Sequence, residues 1–122
     1  MSRNGRPTRS RGEESPLQYT LIVARMSPGD AGRVSDIWAE SDATELPHLI
    51  GVRHRRLFRF HDLYFQLIGA EDGLAERVES ARTHPLFQDV NERLKPFIGA
   101  YDPSTWRGPR DAMAQEFYTW NA

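Results

Sequence analysis

The chain contains no cysteine. Disulfides, thiolate chemistry and Cys-ligated zinc are therefore excluded together. It has one lysine, Lys95, so its positive charge rests almost wholly on arginine. No excess of either sign survives, since the net charge is -1, and a near-neutral domain gives no reason to expect binding to nucleic acid or a membrane surface. Long apolar runs are missing, as is a signal-peptide h-region, and a cytoplasmic location is expected. No GxGxxG, Walker loop or GxSxG elbow occurs, which leaves nucleotide binding and serine-hydrolase chemistry without support. The four histidines, His48, His54, His61 and His84, include no pair at i, i+4 and no HExxH, so no metal site is expected. Any catalysis is then expected to proceed without a cofactor, by positioning, acid–base groups and cationic stabilisation.

What remains is an ordinary globular composition, 39% hydrophobic and 27% charged in 122 residues, which suits a single domain. Residues 1–16 contain almost nothing to bury and are expected to form a disordered tail, with the folded domain over 17–122. Gln18 to Met26 is short, apolar and β-branched, and reads as a buried strand. Ser27-Pro28-Gly29-Asp30 is a helix start, with Ser as cap and Pro at the first position. The helix that follows carries Ala31, Val34, Ile37 and Trp38 on one face and ends near Asp42. Ile50 to Phe60 and Leu63 to Ala70 read as strands around a turn at His61-Asp62. Gly73 opens a second helix with Leu74, Val78 and Ala81 inward. His84-Pro85 breaks it, and a further segment places Leu86, Phe87, Val90, Leu94 and Phe97 on one face until Pro96. Ala112 to Trp120 is expected as the last strand. The order β-α-β-β-α(α)-β specifies a ferredoxin-like α+β fold, an antiparallel sheet with helices on one face. The other face then needs cover, which a second copy commonly provides.

Glu40-Ser41-Asp42-Ala43-Thr44-Glu45-Leu46-Pro47 places a carboxylate at a helix end, where the dipole and partial burial would both raise the Asp42 pKa and make it a usable base. The plainer reading is that Asp42 and Thr44 cap or turn the chain before Pro47. The second strand interleaves Arg53, His54, Arg55, Arg56 and Arg59 with Val52, Leu57, Phe58 and Phe60. Alternation puts Gly51, Arg53, Arg55, Leu57 and Arg59 on one face and Val52, His54, Arg56, Phe58 and Phe60 on the other. Neither face is cleanly apolar, so some arginine must meet a pocket, a partner or an edge. It either forms a solvated edge or lines a cavity and stabilises an enolate or alkoxide. On the next strand Tyr64, Gln66 and Ile68 share a face, and Gln66 is either a polar group in the same cavity or an ordinary surface residue.

Val23-Ala24-Arg25-Met26, Asp42 with Thr44-Glu45-Leu46-Pro47, Gly51-Val52, Arg55 before Leu57-Phe58, and Phe60-His61-Asp62-Leu63-Tyr64 carry a resemblance. So do His84-Pro85-Leu86-Phe87, Tyr101-Asp102-Pro103-Ser104-Thr105-Trp106, Asp111-Ala112-Met113-Ala114 and Phe117-Tyr118-Thr119-Trp120. In order, from Leu17 onward, they resemble the tetracenomycin-type aromatic polyketide cyclase family, and the C-terminal half is similar to cyclases of spore-pigment and angucycline-type clusters. The resemblance implies a cofactor-free cyclase of a bacterial type II polyketide pathway, a homodimer of the dimeric α+β barrel type. Its partners would be an aromatic polyketide intermediate and components of the synthase, and its reaction intramolecular aldol condensation and dehydration. Asp42 matches the family's acid–base carboxylate and Arg55 its pocket arginine. Ser41, Gln66, Tyr64, Arg53 and His61 complete the expected substrate contacts. Histidines of the family pattern are replaced at Ser41 and Gln66, which puts histidine-mediated protonation in doubt. Two other functions compete with the cyclase: a cofactor-independent monooxygenase of the same fold, separable by oxygen consumption, and a non-catalytic subunit that orients the nascent chain.

Overall fold

The computed structural model describes residues 16–122. The tail expected over 1–16 lies outside the described residues except for Pro16, which is exposed. Strand β1 (Gln18–Met26) opens the domain. A turn of 3-10 helix at Pro28–Asp30 leads into α1 (Ala31–Asp42). Ser27 starts this helix with its backbone rather than its hydroxyl: the Ser27 carbonyl accepts from the Asp30 N–H at 3.0 Å, and the side chain makes no capping bond. Val34 and Ile37 are buried on the inner side of α1, with Trp38 partly buried beside them.

Thr44 turns the chain as the plainer reading supposed. Its hydroxyl donates to the Ser41 carbonyl at 2.6 Å and accepts from the Leu46 N–H at 3.1 Å. The turn enters a short helix, α2 (Leu46–Ile50), which takes the residue expected to begin the second strand. Pro47 is well placed in that first helical turn, where its missing N–H costs no bond. Gly51 ends the helix with φ 76°, a left-handed cap that glycine adopts without a Cβ penalty. Strand β2 (Val52–Phe60) follows, then the turn at His61-Asp62 and β3 (Leu63–Ala70). Helices α3 (Leu74–Ala81) and α4 (Pro85–Leu94) are separated at His84-Pro85. The His84 ring accepts from the Leu86 N–H at 3.1 Å.

The fourth strand is not Ala112–Trp120. It is β4 (Ile98–Ala100), three residues that follow Pro96 and pair antiparallel with Ala24–Met26. Pro96 stops the helix, and the small, apolar Ile98-Gly99-Ala100 reaches the free edge of β1 at once. The downstream segment makes only one bridge, Met113 opposite Ile22, and one bond from the Ala114 N–H to the Leu21 carbonyl. Phe117, Tyr118 and Trp120 have no core to enter and are 95%, 76% and 71% exposed.

The sheet order is β2-β3-β1-β4 with every pair antiparallel, and the helices cover one face. This is the ferredoxin-like α+β arrangement. A register shift lies between Val52 and His54, which pair with Ala70 and Gly69. The extra residue, Arg53, is a bulge. Strict alternation would separate Val52 from Arg55, but the bulge turns both toward the helices. Val52 joins Ile68 and Ala70 in the core, and Arg55 is only 10% exposed along its side chain. On the opposite sheet face, Tyr19, Phe58 and Phe60 stand exposed beside the half-buried Leu21, Val23, Phe65 and Leu67.

Candidate active site

Between the sheet and the helices lies a cavity of about 430 Å³. Most of its wall is apolar, including Ile22, Ile50, Ile68, Leu74, Phe87 and Val90. The C-terminal segment contributes Trp106, Pro109 and Met113, so the chain after β4 is part of the enclosure. A cavity of this size and character fits a small, largely apolar ligand oriented by few polar groups.

Asn91 and Lys95 line the cavity as well, but the connected polar groups are a strip made by Trp38, Arg55, Tyr64 and Gln66, all in the cavity wall. Antiparallel pairing brings them together. Arg55 stands opposite Ile68, Leu57 opposite Gln66, and Tyr64 shares the inner face two residues from Gln66. Arg55 donates from Nε and Nη2 to the Asp42 carboxylate at 2.9 and 2.7 Å, a fork that lysine could not reproduce. Its Nη1 donates to Gln66 Oε1. Its guanidinium lies over the Trp38 ring, 4.0 Å from the centroid, where the ring quadrupole favours a cation. Gln66 in turn donates from Nε2 to the Tyr64 hydroxyl at 3.2 Å, and Trp38 Nε1 donates to the same oxygen at 3.0 Å. Tyr64 is 3% exposed and Gln66 6%; the Gln66 amide is bonded at both ends and the Tyr64 oxygen accepts twice, in keeping with the rule that buried polar groups find partners. Burial pushes the Tyr64 phenol up to about 12, opposed in part by the Trp38 hydrogen bond and the Arg55 charge.

The predicted residues divide into those the structure assembles and those it does not. Asp42, Arg55, Gln66 and Tyr64 form one chain of contacts. Asp42 is not itself in the cavity wall but is tied to it through Arg55, and its side chain is 35% exposed. It is thus an ion-paired, partly solvated carboxylate at the helix end. Ser41 is buried beside it and is also outside the wall. Arg53 and His61 do not join the group. The bulge leaves Arg53 exposed, 3.8 Å from Glu71. His61 stands at the hairpin tip with φ 55° and packs edge-on against Phe60. Trp38 was legible only as part of an apolar helix face. A signal was available, because it lies one turn before Asp42 and a buried indole N–H needs an acceptor. Among the described residues no group of three or more His, Asp or Glu could hold a metal, and no helix is long and apolar enough to cross a membrane.

Known proteins share both sequence and architecture with this chain. Tetracenomycin F2 cyclase of Streptomyces glaucescens is 52% identical over 102 residues, 84% of this chain and 93% of that protein. Polyketide synthase CurG of Streptomyces cyaneus is 42% identical over 104 residues, 85% of this chain and 97% of its own. The solved structure of the Streptomyces glaucescens enzyme, a type-II polyketide cyclase, superimposes with a TM-score of 0.81 at 50% identity, covering 86% of this chain and 98% of that one. Residues 18–121 match the polyketide synthesis cyclase family, almost the whole described domain, and the chain belongs to that family.

Proposed function

We propose that this polyketide cyclase closes a ring in a poly-β-keto or partly cyclised aromatic intermediate by intramolecular aldol condensation and dehydration, with Asp42 as base and Arg55 as the cation that steadies developing oxyanion charge. The observation that carries this reading is the connected polar strip in the wall of a largely apolar cavity, linked directly to a carboxylate. A methylene between two ketones is already acidic, so the greater task is to fold the chain and select which carbons meet. Asp42 removes one methylene proton and the electron pair passes to the enolate oxygen. The enolate carbon then attacks a second ketone of the same molecule, and the new alkoxide takes up a proton. Loss of water follows. Ser41 and Gln66 take no proton at neutral pH; they act as polar positioners, Gln66 by holding Arg55 and Tyr64 in register.

The working unit is a homodimer of the α+β barrel type, joined through the exposed aromatic sheet face, and components of a type II synthase deliver its substrate. Incubating the purified protein with intermediate from a minimal type II synthase tests the reaction. A defined cyclised product is expected from wild type, with no oxygen consumed, and strongly reduced formation from Asp42→Asn. A changed product distribution only in the complete synthase, with no turnover of isolated intermediate, would instead establish an accessory subunit.

A further inference from the structure

Tyr64 has more hydrogen-bonding capacity than its neighbours can use, and the surplus has a definite sign. A phenol offers one hydrogen and two acceptor lone pairs. Trp38 Nε1 and Gln66 Nε2 both point at the Tyr64 oxygen, at 3.0 and 3.2 Å. Neither can accept, because an indole N–H only donates and the Gln66 amide orientation is fixed at its other end. There, Arg55 Nη1 faces Oε1, and a guanidinium has no lone pair to offer in return. The Tyr64 hydrogen therefore cannot be satisfied by either group that holds its oxygen, and among the described residues no other acceptor is bonded to it. The side chain is nonetheless buried and in the cavity wall. A buried donor without an acceptor is costly unless a ligand supplies one.

Resting on the cyclase reading above, we infer that the Tyr64 hydroxyl is the donor that receives the enolate oxygen of the substrate. The two donors on its oxygen polarise the O–H and aim it, and Arg55 places positive charge in the same wall. No proton is transferred in this role. The phenol, pushed up to about 12, keeps its hydrogen throughout while Asp42 holds the abstracted proton. Tyr64 so complements charge that exists only after deprotonation, which makes it a catalytic group of the oxyanion-stabilising kind.

The test separates this role from the reaction itself by using a stable enolate mimic, 2-hydroxy-1,4-naphthoquinone, whose anion is the coloured form at neutral pH. Titration should give an affinity for wild type that falls about 10- to 100-fold in Tyr64→Phe, the loss of a hydrogen bond to a charged group, with a visible band that differs between the two complexes. Should Tyr64→Phe fail to fold, 3-fluorotyrosine at position 64 preserves the ring and strengthens the donor, and should tighten binding of the same anion. Equal affinity and equal band in wild type and Tyr64→Phe, no effect of fluorination, or no binding of the anion by wild type would each overturn the assignment. Ring closure of the polyketide with no Tyr64 effect on the probe removes the donor and leaves the reaction standing. The intact probe effect without ring closure does the reverse.

Discussion

Arg55 is held from three sides, by the Asp42 carboxylate, the Gln66 carbonyl oxygen and the face of Trp38. Each contact uses a different property of the guanidinium: its fork, its third nitrogen and its weakly hydrated plane. Arg55→Lys keeps the charge but loses the fork and the stacking. Turnover by that variant should fall about 10- to 100-fold, the worth of one or two charge-assisted hydrogen bonds, in the cyclisation assay. Asp42→Asn should lower kcat roughly 10²–10⁴-fold, the usual contribution of a general base, with the fold retained, because the asparagine oxygen can still accept from Arg55. Gln66→Leu strands the buried Tyr64 and Arg55 partners and should destabilise the fold by about 1–3 kcal/mol, read by urea denaturation. It should also alter the ring pattern of the product, since both neighbours lose their register. Tyr64 adds a pH signature. Its folded pKa lies above the unfolded value, so the contribution is fully present below pH 10 and lost as pH rises toward about 12. The fall in stability over that window should be shallower in Tyr64→Phe. Asp42 was read from its helix end, Arg55 from the family resemblance, and Tyr64 and Gln66 from the strand face they share. Arg53 was not separable from Arg55, since no residue type announces a bulge.

At the scale of elements, the turn at Gly51 decides where β2 begins, and the bulge at Arg53 decides which face Arg55 meets. Gly51 has φ 76°, and an added Cβ would lie 3.2 Å from Arg77 and 3.4 Å from Glu71. Gly51→Ala therefore combines a left-handed backbone with tight contacts and should destabilise by roughly 1–2 kcal/mol. A shift of the thermal midpoint checks it. The long elements were readable because their patterns are local: β1 and β3 have the expected bounds, and α1 ends at Asp42 as expected but begins at Ala31, after the 3-10 turn at Pro28–Asp30. The short ones were not. Five residues of α2 and three of β4 carry too little periodicity to register, and each exists because tertiary packing selects it. Phe117, Tyr118 and Trp120 have strong strand propensity but no partner strand, so propensity alone misassigned them.

For the whole molecule, the two sides of the sheet are unequal. The helix side closes over a cavity, whereas the other presents Tyr19, Phe58 and Phe60 at 59%, 51% and 63% exposure. The C-terminal aromatics add to the uncovered apolar surface. A soluble monomer rarely leaves so much aromatic surface contiguous, and an isologous pair hides it with one self-complementary contact. Sedimentation at micromolar concentration should therefore give twice the 14.0 kDa chain mass. Phe58→Ser combined with Phe60→Ser should shift the protein to monomer, because both side chains lie on the face away from the cavity and neither belongs to the core clusters. Circular dichroism should show that the monomer keeps its secondary structure. A wild-type protein that sediments as a stable monomer, or a double variant that still dimerises, would mean that the aromatic face meets something other than its own copy.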